Sequence, residues 1–177
     1  PKYDTAGEAI LVAKDEDDVD ELIEDYFLSP PEPIESKLSS EPALRVHTLA
    51  TIATGHATTE EELFDFFGRT FFAHQYPVDQ LRGKVEDVLA FLQREDFLTG
   101  RDGTLRATFF GRRTSDLYID PLSAVRMRDA LEDDRDATFY HLWAVCSTPD
   151  MPKLYLRRGD YVWVEDKITA EAMTFPV

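Results

Sequence analysis

The order of local patterns between residues 40 and 107 constrains the possible fold more than any other feature of this sequence. Three amphipathic helical patterns follow one another, over residues 40–54, from Thr59 onward, and over residues 78–94. The second begins with Thr59-Glu60-Glu61-Glu62, which has the spacing of a capping box. Apolar residues recur at helical spacing in each pattern: Leu44, Leu49 and Ile52; Leu63, Phe66, Phe67 and Phe71; and Leu81, Val85, Val88, Leu89 and Leu92.

A short hairpin pattern comes directly after the third helix. Two brief strand patterns, residues 97–99 and 104–107, flank the turn Gly100-Arg101-Asp102-Gly103. Three helices followed by a hairpin is the order of a winged helix, in which the third helix is the recognition helix and the hairpin is the wing. The sequence therefore predicts a mainly α (α+β) fold with a winged-helix domain over residues 40–108.

The segment before this domain predicts a strand, a helix and a linker. The apolar run of residues 8–13 predicts a strand that is buried on both faces, as in a parallel sheet. Residues 14–27 carry apolar side chains at helical spacing, and acidic residues crowd their first turn, where they suit the helix dipole. Three prolines among residues 30–33 then predict a stiff linker over residues 30–39.

The segment after the hairpin predicts the beginning of a helical bundle. Thr108 is placed to cap one helix, and Asp120-Pro121 to start another, since Pro is favoured in a first turn. Further helical patterns cover residues 137–146 and 160–172. We expect Trp143, Trp163 and the single cysteine, Cys146, to lie in the apolar core of this bundle.

The charge is strongly negative and unevenly distributed. With 19 Lys+Arg and 35 Asp+Glu the net charge is −16, and residues 1–42 alone contribute −10. Arginines outnumber lysines 13 to 6. Because concentrated salt screens repulsion between acidic groups, we hypothesise a halophilic protein, with an ordinary acidic cytoplasmic protein as the alternative. A cytoplasmic location is expected, because no apolar run approaches about 18 residues.

A basic stretch interrupts this acidity at the third helix and the hairpin. Residues 82–113 contain seven basic and five acidic residues. Contact with nucleic-acid phosphates needs cationic donors along one surface. The candidate nucleic-acid-binding residues are Arg82, Lys84, Arg94, Arg101, Arg106, Arg112 and Arg113. The alternative is that these cations pair with the acids among them: Glu86, Asp87, Glu95, Asp96 and Asp102.

The remaining polar and aromatic clusters give no catalytic, cofactor-binding or metal-ligating candidate. The spacings of His47, His56, His74 and His141 match no metal motif, and the acidic run of residues 15–18 lacks the glycine-centred turn of a calcium loop. The dense aromatic cluster of the second helix is expected to be core. Its surplus members, Phe64 and Phe72, are candidates for contact with a neighbouring domain.

Several motifs resemble one enzyme family. Pro1-Lys2-Tyr3-Asp4-Thr5-Ala6-Gly7-Glu8-Ala9-Ile10-Leu11-Val12 resembles the segment after motif VI of Ski-two-like superfamily 2 helicases. Pro33-Ile34-Glu35-Ser36-Lys37-Leu38 and Glu41-Pro42-Ala43-Leu44-Arg45 resemble the segment that leads into their winged helix. Gly111-Arg112-Arg113 and Leu117-Tyr118-Ile119-Asp120-Pro121 resemble the segment that leads into their helical ratchet domain. The similarity is strongest to the archaeal DNA helicases of the Hjm and HELQ kind.

The resemblance implies a place within a larger enzyme. Such helicases unwind DNA in the 3′–5′ direction at stalled replication forks, with ATP and Mg²⁺ in their motor domains. Residues 1–29 would end the second RecA-like motor domain, residues 30–39 would be the linker, and residues 109–177 would begin the ratchet domain. The implied partners are single-stranded or forked DNA, with RNA as an alternative, and the neighbouring RecA-like and ratchet domains of a monomer, with no membrane.

The sequence carries neither a phosphate loop nor a D-E-x-[DH] box, and it starts at Pro1 without a methionine. We therefore expect a fragment that does not hydrolyse ATP alone. Two other functions stay open. One is a free-standing winged-helix regulator that dimerises and reads duplex DNA through residues 78–94. The other is a protein-interaction scaffold in which the basic residues have no nucleic-acid role.

Overall fold

The computed structural model describes residues 7–16, 18–133 and 138–170, and the chain divides into two compact units. The first unit comprises residues 1–35 and the second residues 36–177. The division lies inside the predicted linker, and the domain boundaries given above stay predictions.

In the first unit the predicted helix is present and the predicted strand is not. Helix α1 covers Asp18–Leu22 and continues as a π-helical turn over Ile23–Leu28. Residues 7–13 form no strand, and the side chains of Ile10 and Val12 are exposed. The strand prediction is therefore wrong for this structure. A buried parallel strand needs hydrogen-bonded neighbours, and the described strands all belong to one hairpin elsewhere in the chain.

In the second unit the winged helix has its predicted order of helices. Helix α2 covers Glu41–Ala53, and the chain leaves it through Gly55, whose φ is +76°. Helix α3 covers Glu60–Phe67, and the hydroxyl of its N-cap Thr59 accepts a hydrogen bond from the Glu62 N–H at 3.2 Å. After a short helix α4, Phe71–Gln75, a 3₁₀ turn over Val78–Leu81 leads into helix α5, Arg82–Arg94.

The predicted apolar face of the second helix is wrong at its end. Helix α3 stops at Gly68, and α4 starts anew at Thr70, so helical spacing does not run through from Leu63. As a result, Phe72 is buried at 2% exposure, while Phe71 is 48% exposed. Phe72 is thus a core residue, not a surplus aromatic available to a neighbouring domain.

The wing is a two-stranded antiparallel hairpin. Strand β1, Leu98–Arg101, pairs with strand β2, Thr104–Ala107, and Arg101 lies opposite Thr104. The turn is therefore only Asp102-Gly103, with φ of +51° and +77°, the positive values that a type I′ turn requires. The Leu105 N–H donates to the Thr58 carbonyl oxygen at 2.6 Å, which ties the wing to the segment between α2 and α3.

One apolar core joins the helices of the winged helix to the wing. Its largest fully buried members come from α2, α3, the 3₁₀ turn, α5 and the residue before the wing: Leu44, Leu49, Leu63, Phe67, Leu81, Val85, Leu92 and Phe97. All five residues predicted to form the inner face of the third helix are buried. The predicted mainly α fold with a winged helix is confirmed.

Among the described residues, four more helices follow the wing: α6, Phe109–Asp116; α7, Pro121–Glu132; α8, Thr138–Cys146; and α9, Tyr161–Ala170. Helix α6 lies against the base of the wing so closely that a Cβ at Gly111 would be 2.0 Å from the Phe97 carbonyl oxygen. The Thr108 hydroxyl caps α6 by accepting from the Gly111 N–H at 2.9 Å.

Two core predictions for the last helices are wrong. Helix α8 buries Tyr140 and Ala144, one turn apart, with Trp143 packed beside them. Cys146 is two residues beyond Ala144, which places it on the other side of the helix, and it is exposed. Trp163 is also exposed, because no residue of α9 is buried.

Candidate nucleic-acid interface

The recognition helix α5 presents carboxylates at the centre of its exposed side. Val85, Val88, Leu89 and Leu92 face the core, and Glu86, Asp87 and Ala90 remain exposed between them. The predicted cations Arg82, Lys84 and Arg94 lie toward the ends of this helix. Because carboxylates repel phosphates, the middle of α5 is poorly suited to lie against a nucleic-acid backbone.

Arg82, at the start of α5, is held against the protein. Its guanidinium carbon lies 4.5 Å from the centre of the Phe64 ring, and Nη2 is 3.5 Å from a carboxylate oxygen of Asp79. A cation over an aromatic face is attracted by the ring quadrupole. The half-buried ring of Phe64 is thus covered by Arg82.

Lys84 and Arg94 line one groove of about 490 Å³ between α2 and α5. Lys84 Nζ donates to the Ser39 carbonyl oxygen at 2.8 Å. Arg94 Nε donates to Glu95 Oε1 at 3.0 Å, and its guanidinium carbon lies 5.5 Å from the centre of the Phe91 ring. Glu41 and Asp87 also line the groove, so it carries charges of both signs.

The wing brings Arg101 and Arg106 onto one exposed face. Arg106 lies opposite Thr99, and Arg101 is two residues beyond Thr99, so the two arginines are diagonal neighbours across the hairpin. Arg101 Nε is 3.9 Å from Asp102 Oδ2, and both side chains are almost fully exposed. Arg106 forms no ion pair with any described residue.

Arg112 and Arg113 lie on the exposed side of α6, directly after the wing. Neither forms an ion pair within the part of the chain that the structure describes. The seven cations therefore do not form one patch. Arg82 covers Phe64, Lys84 and Arg94 line the α2–α5 groove, and the other four lie along the wing and α6. The alternative pairing holds for Arg94 with Glu95 and for Arg101 with Asp102.

A buried ion pair that the sequence did not reveal joins α2 to the start of α7. Arg45 Nε and Nη2 donate to the two carboxylate oxygens of Asp120, each at 3.0 Å, and the two residues are 5% and 3% exposed. Asp120 Oδ1 also accepts from the Leu122 N–H at 3.0 Å as the N-cap of α7. Burial lowers the pKa of Arg45, but hydrogen bonds to Asp120 and Glu41 and their charges outweigh it, so the pKa is raised.

The Asp120 carboxylate belongs to a wider polar junction. The Asp120 N–H donates to Asp150 Oδ2 at 2.9 Å, and Arg45 also donates to Glu41 on its own helix. The Asp-Pro signal in the sequence identified the cap at Asp120. Nothing local could identify Arg45 as its partner, because 75 residues separate the two.

A second ion pair joins α7 to the end of α5. Arg128 Nη2 donates to Glu95 Oε2 at 2.9 Å, and Nη1 donates to the Glu95 carbonyl oxygen at 3.0 Å. Hydrogen bonds from Arg128 first, and then from Arg94, lower the pKa of Glu95. The Arg128 guanidinium carbon also lies 5.7 Å from the centre of the Phe110 ring on α6. From the sequence, Glu95 is predicted only to pair with an exposed cation of the basic stretch.

Within the described ranges, no group of three or more His, Cys, Asp or Glu side chains is arranged to hold a metal ion. Among these same residues, no helix has the length and apolar character that a membrane-crossing helix needs.

Comparisons with known proteins agree with the winged-helix geometry. The family model for a helix-turn-helix domain matches residues 7–99. The chain is 43% identical over 169 residues to the ATP-dependent DNA helicase Hel308 of Methanocella arvoryzae, an alignment covering 93% of the chain and 23% of the relative. It is 41% identical over 164 residues to Hel308 of Thermococcus kodakarensis, covering 90% of the chain and 14% of the relative.

A third relative, Hel308 of Methanocaldococcus jannaschii, is 37% identical over 153 residues, which cover 85% of the chain and 12% of the relative. The predicted resemblance to archaeal Ski-two-like DNA helicases is confirmed by these matches. The chain spans less than a quarter of the length of each of these relatives.

Proposed function

Because this chain belongs to the helix-turn-helix domain family that matches residues 7–99 and is similar to ATP-dependent DNA helicases over most of its length, we propose that it is the winged-helix portion of such a helicase. In this proposal the helicase unwinds DNA in the 3′–5′ direction at stalled forks, and ATP and Mg²⁺ bind to motor domains outside this chain. The winged helix couples those motor domains to the ratchet domain that grips the DNA. The Arg45–Asp120 ion pair is the observation that carries the coupling role.

A coupling element must hold its neighbours at a fixed angle. The Arg45–Asp120 contact is bidentate and buried, so it fixes both the position and the orientation of the α7 N-terminus on α2. Arg128 then fixes the body of α7 to the end of α5 through Glu95. Two directional attachments at separate points oppose rotation of α7 on the winged helix, as a lever between two moving domains requires.

Direct contact with the DNA strand is proposed to be local. Arg106, Arg112 and Arg113 are exposed and form no ion pair with the described residues, so they are available to phosphates. The exposed carboxylates of Glu86 and Asp87 argue against the free-standing regulator, whose recognition helix would have to enter a groove lined by phosphates.

The coupling proposal is tested in the longer helicase of which this chain is proposed to be a part. With Asp120→Asn, we expect DNA-stimulated ATP hydrolysis to persist, while strand separation falls by about tenfold or more because α7 is misplaced. Arg69→Gln changes an exposed arginine outside all the contacts above and serves as the control. Equal loss of ATP hydrolysis and unwinding, or no loss of either, would contradict the coupling role.

The DNA-contact proposal is tested by charge reversal in the same helicase. Reversing Arg106, Arg112 and Arg113 together should weaken DNA binding and unwinding. Unchanged DNA affinity and unwinding would instead support the protein-interaction scaffold. The isolated chain should bind DNA weakly and hydrolyse no ATP.

A further inference from the structure

Phe109 is an exposed aromatic residue at the junction between the wing and α6. It is the first residue of α6, and its side chain is 84% exposed. It makes no ring contact with any described aromatic residue or cation. Leaving a Phe ring in water forgoes the free energy of its burial. The ring is therefore a candidate contact for something outside this chain.

The neighbours of Phe109 hold it in this outward position. Phe110 stacks on Phe97 with ring centres 4.7 Å apart, and Gly111 lies against the Phe97 carbonyl. Thr108 caps the helix through Gly111 and donates to the Asp96 carbonyl oxygen at 2.6 Å. Because successive helical residues point about 100° apart, fixing Phe110 and Gly111 inward directs Phe109 to solvent.

Three exposed arginines lie within four residues of Phe109 in the sequence. Arg112 and Arg113 are three and four residues after Phe109, so they share its side of α6. Arg106 lies on the outer face of β2, three residues before it. None of the three forms an ion pair with the described residues, whereas Arg82, Arg94 and Arg101 each lie beside a carboxylate.

We propose that Arg106, Phe109, Arg112 and Arg113 form a binding surface for single-stranded DNA, the wing–α6 surface, on which Phe109 stacks against one base. The arginines bind the phosphates on either side of that base. This inference rests on the proposed function and adds a base contact to it. The bases of a duplex are already stacked on each other, so only an unpaired base offers its face to the ring. Because a Phe ring has no hydrogen-bonding group, the contact does not depend on base identity.

The test compares two probes that differ only in their bases. Fluorescence anisotropy measures binding of the full chain to a labelled oligothymidine of about 15 nucleotides and to an abasic strand of equal length, both at low salt. With Phe109→Ala we expect about tenfold weaker binding to oligothymidine, the loss of roughly one stacked base. Binding to the abasic strand should not change. Phe109→Tyr should keep the affinity for both probes.

Two further variants separate stacking from charge. Arg112→Gln should weaken binding to both probes, and should reduce the slope of log K against log salt by about 0.7 on single strands. Phe71→Ala removes another exposed aromatic side chain, on α4, and should change neither affinity. Phe109 is so exposed that Phe109→Ala should leave the thermal unfolding midpoint unchanged, which checks that the variant is folded.

The outcomes distinguish this inference from the function on which it rests. If Phe109→Ala binds both probes as the wild type does, the stacking contact is refuted, while the phosphate contacts of the proposed function stand. If the wild-type chain binds neither probe at low salt, both the wing–α6 surface and the DNA contact of the proposed function are refuted.

Discussion

Replacing Asp120 by Asn should destabilise the winged-helix unit by about 3 kcal/mol, because it leaves the buried guanidinium of Arg45 without its main counter-charge. Asn preserves the shape of the side chain and can still accept from the Leu122 N–H, so the cap of α7 is kept. Glu41 remains as a partner for Arg45, but its side chain is 77% exposed, so it compensates only in part. Breaking a buried pair costs about 3–5 kcal/mol, and Glu41 favours the lower end of that range.

The assay is urea denaturation followed by far-UV circular dichroism, with the change in free energy taken from the midpoint at constant m-value. A double-mutant cycle with Arg45→Met completes the test. Arg45→Met alone strands the buried Asp120 carboxylate, whereas the double variant removes both charges. The double variant should therefore cost less than the sum of the single changes, by about 2 kcal/mol. Additive effects, or a loss below about 1 kcal/mol for Asp120→Asn, would refute the argument that this contact holds α7 on α2.

Three further predictions concern packing, pH and salt. Gly111→Ala should lower the thermal midpoint, because its Cβ would meet the Phe97 carbonyl at 2.0 Å, while Gly83→Ala, with nothing within 4 Å of its Cβ, should raise stability by up to about 1 kcal/mol. Because hydrogen bonds from Arg128 lower the pKa of Glu95, this group stabilises the fold above the pKa of the unfolded state. That contribution to the free energy of unfolding should be lost as the pH falls below about 4.5 and through the pKa of Glu95 in the folded state. When denaturation is measured at a series of pH values, Glu95→Gln should reduce the loss of stability in this acid range. If the acidity reflects life in brine, raising KCl from about 0.1 M to about 1 M should raise the thermal midpoint, and a fall would contradict the halophile hypothesis.

The sequence predicted those parts of the fold that local rules determine. The bounds of α2, the Thr59 cap and the inner face of α5 follow from capping chemistry and helical spacing, and the structure confirms them. A Gly/Asp turn in the wing followed in the same way, although only Asp102 and Gly103 of the four predicted residues form it. Local rules failed where an element depends on distant partners. The apolar run of residues 8–13 has the composition of a strand, but within the described part of the chain it pairs with no other strand.

Phe71 and Phe72 show a second limit of prediction from sequence. The short break between α3 and α4 moves the buried position from Phe71 to Phe72. Gly68 and Thr70 could each be read as ordinary surface positions within one long helix. The structure instead ends one helix at the first and starts another at the second. Helical spacing counted across the break then identified the wrong Phe as buried. The helix end at Gly68 and the helix start at Thr70, and not the apolar spacing alone, therefore decide which Phe is buried.

The candidate site shows a third limit of prediction from sequence, since basic residues that are close in sequence need not form one basic surface. Side chains that are close in sequence on α5, the wing and α6 point in different directions, and the structure divides the seven cations among separate surfaces. Cations that already lie beside carboxylates or carbonyl oxygens must give up those contacts before they bind a phosphate, so their net gain on binding is small. The cations without such contacts, Arg106, Arg112 and Arg113, can bind without that loss. An acidic chain can therefore contact DNA through a few arginines, provided that carboxylates do not already pair with them.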